Sequence, residues 1–358
     1  MDNTEYKLLG EGTYGCVFKP SLPCDSNIGT YKNKLSKLML TKDALKEVEE
    51  YALIDRADKK SEYYTGNPIH CNIKKTPQVE RAIRKCKLTR KKSMDKVFTE
   101  NSLLIIGDGG NDLEKWVRKV INVKNAQQEI SDFWREMGRM LDGLVVFKSY
   151  DLVHHDLKPQ NIVYRKETKR ANFIDFGLMR SIRSEAAKCR EVLSCKGNSH
   201  WNYPTEVIFM NKKEFGILAK ESDSQRNITY KQFMDAFKNP STNKFGNAFN
   251  IMVSYIFKRD DSERRKIFTD RYMNAWRDLL MSIQPNNYDD FLKKTIYGFD
   301  VFGFGLSMMY VLSRVRQFMK PDMVKQVDDL FFRMMTPNIF VRITAEQANE
   351  EYKKIIHR

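Results

Sequence analysis

The order of polar residues in His154-His155-Asp156-Leu157-Lys158-Pro159-Gln160-Asn161, followed by Ile174-Asp175-Phe176-Gly177, constrains this chain more than any other feature. An Asp beside an incoming hydroxyl can orient it and accept its proton, and a Lys two residues later can neutralise a phosphate oxygen. Asn161 and Asp175, 14 positions apart, offer hard oxygen ligands suited to Mg²⁺. Any three of these letters could meet by chance, but the ordered set is hard to obtain accidentally, so a chain that carries it is expected to fold with the two stretches together.

A second motif lies near the start. Leu9-Gly10-Glu11-Gly12-Thr13-Tyr14-Gly15-Cys16-Val17 reads Gly-x-Gly-x-x-Gly-x-Val, in which residues without side chains let backbone amides approach phosphates closely. A dinucleotide-binding turn would open a helix, yet Cys16-Val17-Phe18 continues as a strand, and Pro20 and Pro23 soon bar a helix. A strand-turn-strand flap over phosphates fits better.

Together these motifs resemble the protein kinase superfamily, and the likeness runs from Gly10 to Arg342. It implies an α+β, two-lobed fold: a small N-lobe with an antiparallel sheet and one key helix, and a larger, mainly helical C-lobe. We expect the N-lobe over 1–106, with an insertion at about 59–98, and the C-lobe over 107–358, with an insertion at about 207–296. The resemblance implies Asp156 as base, Lys158 on the γ-phosphate of ATP, and Asn161 and Asp175 on Mg²⁺. Gly10, Glu11, Gly12, Gly15 and Val17 would cradle the nucleotide, and the backbone at Ile105 and Ile106 would meet the adenine edge. A strand lysine paired with a helix glutamate should hold the remaining phosphates. Residues 31–40 alternate as a strand, giving Lys37 with Lys34 as fallback; 42–56 reads as a helix, giving Glu50 with Glu47 one turn earlier. At least two of Glu47, Glu49 and Glu50 are expected on a solvated face. Leu35 stands where the family usually has Ala.

A helix over about 125–148, with Phe133, Met137, Leu141 and Leu144 on a 3.6-residue period, leads into the loop. By the same resemblance His154 is structural, Asp300 supports the loop backbone, and Glu206 of Tyr203-Pro204-Thr205-Glu206 pairs with Arg342. His155 replaces the Arg that commonly meets a phosphate on the segment carrying Ser181, Ser184, Ser194 and Ser199. A mostly neutral imidazole does this poorly, so activity should not depend on phosphorylation of that segment. The interval from Glu206 to Asp300 is much longer than a compact kinase needs, and its aromatics are expected to be ordinary core. Lys158 within Asp-Leu-Lys-Pro-Gln-Asn is the form seen in serine/threonine kinases, so protein substrates with Ser or Thr are expected. The Tyr-Pro-x-Glu ending, the Leu-Ser-Lys strand and the long insertion also resemble kinases of nucleocytoplasmic large DNA viruses.

Composition sets limits around this reading. The formal charge of +16 predicts attraction to acidic proteins, nucleic acid or anionic surfaces, and the basic run 81–92 is the candidate docking place for an acidic partner; nucleic-acid binding could coexist with catalysis. Six cysteines (Cys16, Cys24, Cys71, Cys86, Cys189, Cys195) form no Cys-x-x-Cys pair and follow no signal peptide. Reduced thiols and a cytoplasmic location, in host cytoplasm or virion if viral, are therefore expected, with a zinc site from His70, Cys71 and Cys86 as a lesser alternative. The apolar stretch 301–312 is too short and Gly-interrupted to span a bilayer, and neither end reads as a lipid anchor. The competing function is a pseudokinase-like scaffold that binds acidic partners or nucleic acid without catalysis. A small-molecule kinase is the other rival, disfavoured by Phe176-Gly177, Glu206 and Arg342.

Overall fold

A computed structural model describes residues 5–12, 15–191, 200–238, 244–258 and 261–356. Thr13, Tyr14, Ser194, Cys195 and Ser199, which the sequence singles out, lie outside them. The chain is α+β and divides into two compact units, residues 1–110 and 111–358.

In the first unit, β1 (Lys7–Glu11), β2 (Gly15–Lys19), β3 (Lys34–Leu40), β4 (Ile69–Cys71) and β5 (Asn101–Gly107) form an antiparallel sheet in the order β1-β2-β3-β5-β4. Alternation along the strands sorts their side chains onto two faces. Met39 and Leu104 pack against Ala44 of α1 (Thr41–Ala57), while Phe18, Leu38, Leu103 and Ile105 face α2 (Pro77–Ile83) and α3 (Met94–Glu100). Thr76 and Ser93 cap these short helices by accepting from the backbone N–H groups of Val79 and Lys96. The expected insertion is thus partly sheet and partly cap, for β4 pairs with β5 and the helices cover one sheet face.

The cysteines overturn the expectation of reduced thiols. Cys16 of β2 is bonded to Cys86, and Cys24 to Cys71, with Cα atoms 6.0 and 5.7 Å apart; Cys189 is disulfide-bonded as well. The zinc alternative fails for the same reason, because neither Cys71 nor Cys86 keeps a thiolate to offer. Wide sequence spacing hid the pairs: Cys16 meets Cys86 when the cap lies on the sheet, and Cys24 meets Cys71 when the loop after β2 lies beside β4.

The second unit begins with β6 (Asn111–Asp112) and α4 (Leu113–Val120), followed by α5 (Ala126–Ser149). Buried Ile130, Phe133, Trp134, Met137, Leu141 and Leu144 give α5 its apolar stripe. Strands β7 (Leu152–Val153), β8 (Ile162–Arg165), β9 (Arg170–Phe173) and β10 (Arg180–Ser181) surround the 154–161 loop; β8 pairs with β6 and β9, and β10 with β7. After α6 (Ile182–Arg190), the interval before Asp300 folds as α7 (Lys212–Ala219), α8 (Asp223–Lys238), α9 (Lys244–Ile256) and α10 (Ser262–Ser282). Arg226 is buried there, its guanidinium donating to the carbonyls of Leu280 and Ala219, so that α8 is fastened to α10. The central helix α11 (Tyr288–Val315) is buried along most of its length, with α12 (Pro321–Met335) and α13 (Ala345–Ile356) completing the unit. The stretch 288–318 is long and apolar enough to cross a membrane by composition alone, but 94% of its most apolar window is buried within the fold, as befits a core helix.

Candidate active site

The first unit supplies one cation and a cradle. Lys37, on β3, donates from Nζ to both carboxylate oxygens of Glu47, at 2.8 and 2.6 Å. The glutamate is therefore Glu47, and Glu50 is corrected: it lies 3.8 Å from Lys46 and is partly buried. Buried Ala44, Glu47, Tyr51 and Ile54 recur at spacings of three and four, and that stripe was the available signal. Leu53 and Ile54, which follow Glu50 at three and four positions as the resemblance implies, favour Glu50 on sequence alone.

Of the three motif glycines, Gly15 is required by packing, because a Cβ there would stand 2.4 Å from the Leu38 carbonyl oxygen. Around Gly10 a Cβ would meet nothing within 4 Å, and at Gly12 only the Gly15 carbonyl at 3.9 Å, so these two keep space open without any packing need. Glu11 accepts from the Lys87 backbone N–H at 2.8 Å, which ties the cradle to the cap. Val17 pairs with Lys37 across β2 and β3. Ile105 needs correction as an adenine contact: it is flanked by Ser36 of β3 and Ile69 of β4, and its side chain is in the core facing the cap. Ile106 is partly buried beside Met39, on the face covered by α1; it pairs with Leu35 of β3 but lies beyond the β4 ladder, which ends at Ile105.

The second unit gathers the motif acids. Asp156 Oδ2 accepts from Lys158 Nζ at 2.6 Å and from Asn161 Nδ2 at 2.9 Å, and its Oδ1 accepts from Asn202 Nδ2 at 2.8 Å. Asn161 also donates from Nδ2 to the Asp156 carbonyl at 2.8 Å, so its amide nitrogen is engaged and its oxygen is left to serve as a ligand. The Ile174 N–H donates to the Asn161 carbonyl at 3.0 Å, which sets the exposed Asp175 beside that loop. Two hard oxygens on adjoining segments, with a lysine nearby, fit a divalent cation carrying phosphate.

The loop is held by buried polar groups. Asp300 accepts the backbone N–H of His154 at 2.7 Å and of His155 at 3.0 Å; burial pushes its carboxyl up, against the pull of His154 and these amides. His154, fully buried, donates from Nε2 to the Ile174 carbonyl at 3.1 Å. His155 stacks on Phe299, centroids 4.4 Å apart, and desolvation with nearby Arg180 pushes its imidazole down to about 4. The close approach of α11 needs Gly303, whose Cβ would lie 2.5 Å from the Leu157 carbonyl oxygen. Farther out, Glu206 and Arg342 form a fully buried pair at 2.5 Å.

Sequence reasoning missed three residues here. Asn202 and Tyr255 belong to no motif, and Glu114 on α4 accepts from both Gln160 Nε2 at 2.8 Å and Tyr255 Oη at 2.6 Å. Only their contacts identify them. No protein-family model matches the chain, and no curated protein is significantly similar to it.

Proposed function

We propose that this chain is a serine/threonine protein kinase that transfers the γ-phosphate of ATP to protein hydroxyls, on a kinase-like two-lobed fold. The observation that carries the proposal is the Asp156 carboxylate, which receives Lys158 and Asn161 on one oxygen while its loop is pinned from beneath by Asp300. Asp156 would accept the hydroxyl proton as the oxygen attacks phosphorus, and Lys158 would balance charge on the transferring group. Lys37, oriented by Glu47, would hold the other phosphates under the open space at Gly10 and Gly12. Asn161 and Asp175 would hold Mg²⁺, which when bound neutralises phosphate charge. A neutral His155 supports independence from phosphorylation of the segment after Gly177.

The partner and location belong to the same proposal. Arg81, Arg84, Lys85, Arg90 and Lys91 are exposed on the cap and form no ion pair among the described residues, which favours an acidic protein partner there. A viral kinase acting in host cytoplasm or virion would have to meet an oxidant for Cys16–Cys86 and Cys24–Cys71 to close.

Transfer of labelled γ-phosphate from Mg·ATP to casein, to a basic protein and to the chain itself tests the reading, with phosphoamino-acid analysis. Label on Ser or Thr that Asp156→Asn and Asp175→Ala both abolish is the expected result. ATP binding without transfer would replace the enzyme by the scaffold. Turnover lost on dephosphorylation would overturn the independence from phosphorylation.

A further inference from the structure

Asn202 stands outside every motif, yet it is 3% exposed and touches the most reactive carboxylate of the second unit. A carboxylate offers about four acceptor positions. Oδ2 of Asp156 already receives Lys158 and Asn161, whereas Oδ1 receives Asn202 alone among the described residues. An incoming hydroxyl therefore finds its free lone pair on Oδ1, next to the Asn202 amide. The amide itself is oriented: its oxygen accepts from His200 Nδ1, which turns Nδ2 toward Asp156.

A second chain of contacts reaches Asn202 from the insertion. Its neighbour Trp201 lies with its ring 4.5 Å from that of Tyr255, on α9. Tyr255 stacks on Tyr310 of α11 at 4.6 Å and donates to Glu114, which in turn accepts from Gln160, the residue before Asn161. One inserted side chain thus bears on the Asp156 loop from two sides, through Trp201-Asn202 and through Glu114-Gln160.

We infer that Asn202 is the positioning residue for Asp156 and that the inserted helix α9 holds it there through Tyr255. The inference rests on the kinase reading and gives the insertion a task within it.

The test measures kcat and KM for the full chain, its Asn202→Ala and Asn202→Asp variants, and Tyr255→Ala, with melting and ATP affinity recorded alongside. Asn202→Ala should lower kcat about 10- to 100-fold, the loss expected when a reacting group is misplaced by an ångström, with KM for ATP within about twofold. Asn202→Asp, nearly isosteric, should do worse by adding a like charge, and it serves if the alanine variant does not fold. Tyr255→Ala should lower kcat in the same way by less. A folded Asn202 variant with unchanged kcat, or with KM for ATP raised while kcat holds, overturns the positioning role. An unchanged Tyr255→Ala overturns the part assigned to α9. No transfer by the wild-type chain overturns the kinase reading and takes this inference with it, whereas transfer by wild type alongside unaltered Asn202 variants overturns the inference alone.

Discussion

Glu206→Gln should destabilise the second unit by several kcal/mol, and the size follows from how the pair is buried. The Glu206 and Arg342 side chains are 0% and 1% exposed, at 2.5 Å. Arg342 uses Nε and Nη2 on the Thr336 carbonyl, at 2.8 and 2.7 Å, so that its effect on Glu206 is more one of charge than of hydrogen bonding. Charge proximity is what holds the two together. Burial pushes the Glu206 carboxyl up and Arg342 pulls it back, with burial the larger effect. Breaking such a pair leaves a buried guanidinium without its counter-charge, which costs about 3–5 kcal/mol. At about 2–4 °C per kcal/mol for a unit of this size, the melting temperature should fall by roughly 6–20 °C near neutral pH. Since burial holds the folded carboxyl above its unfolded value, protonation favours the folded chain: wild type gains stability as pH falls through the raised value toward the unfolded 4.5, Glu206→Gln does not, and the difference should widen there. Calorimetry of wild type, Glu206→Gln, Arg342→Met and the double variant across pH checks this, and the double variant should recover much of the loss. A Glu206→Gln chain that melts with wild type at pH 7 would show that the carboxyl is already neutral there, and the argument from charge would fail.

Glu47→Gln should lower kcat/KM for ATP about 10- to 100-fold, the worth of a charge-assisted contact to Lys37, whereas Glu50→Gln should stay within about twofold in the same steady-state assay. The disulfides close loops of sequence separation 70 and 47, each worth about 4 kcal/mol by chain entropy but less than additive because one encloses the other. Denaturant midpoints with and without dithiothreitol, and for Cys86→Ser, should therefore fall on reduction; equal midpoints would mean that these bonds do not form. His155 is held neutral, its value near 4 against an ordinary 6.5, so its contribution is complete above about pH 6.5 and is lost as pH falls toward 4, by about 3 kcal/mol in all. Stability against pH for wild type and His155→Phe reads this, and parallel curves over that window would refute it.

Order and spacing made the polar residues of the second unit legible: Asp156 accepts from Lys158 and Asn161, Asp175 follows the Ile174 that returns to Asn161, and Glu206 meets Arg342. The glutamate partner of Lys37 was legible only by its stripe. Glu47 shares a face with Ala44, Tyr51 and Ile54, but Leu53 and Ile54, three and four positions after Glu50, made a competing pattern that favoured Glu50. The disulfides were not legible, since pairs 70 and 47 residues apart depend on how the cap and β4 pack, which no local period encodes. Asn202 and Tyr255 escaped for a similar reason. Their contacts join segments far apart in sequence, and neither differs in type from many solvated residues of the same chain.

The backbone itself weighs between an enzyme and a scaffold. Asp151, His155 and Asp175 have φ of 62°, 68° and 65°, a left-handed conformation that costs a non-glycine residue about 1–3 kcal/mol. Two of the three immediately precede or form the acids assigned to chemistry. Each is held by polar fasteners: Ser181 donates to the Asp151 carboxylate, Asp300 grips the His154 and His155 amides, His154 bridges to Ile174, and Ile174 returns to Asn161. These bonds join segments far apart in sequence, so the acceptor and ligand oxygens are set before any ligand arrives, as transition-state stabilisation requires. A surface that only docks a partner gains nothing from a raised, buried Asp300 carboxyl or from three strained residues around one loop. On the kinase reading proposed above, these fasteners would hold Asp156 and its contact with Lys158 ready for transfer, a task that a scaffold would not set them.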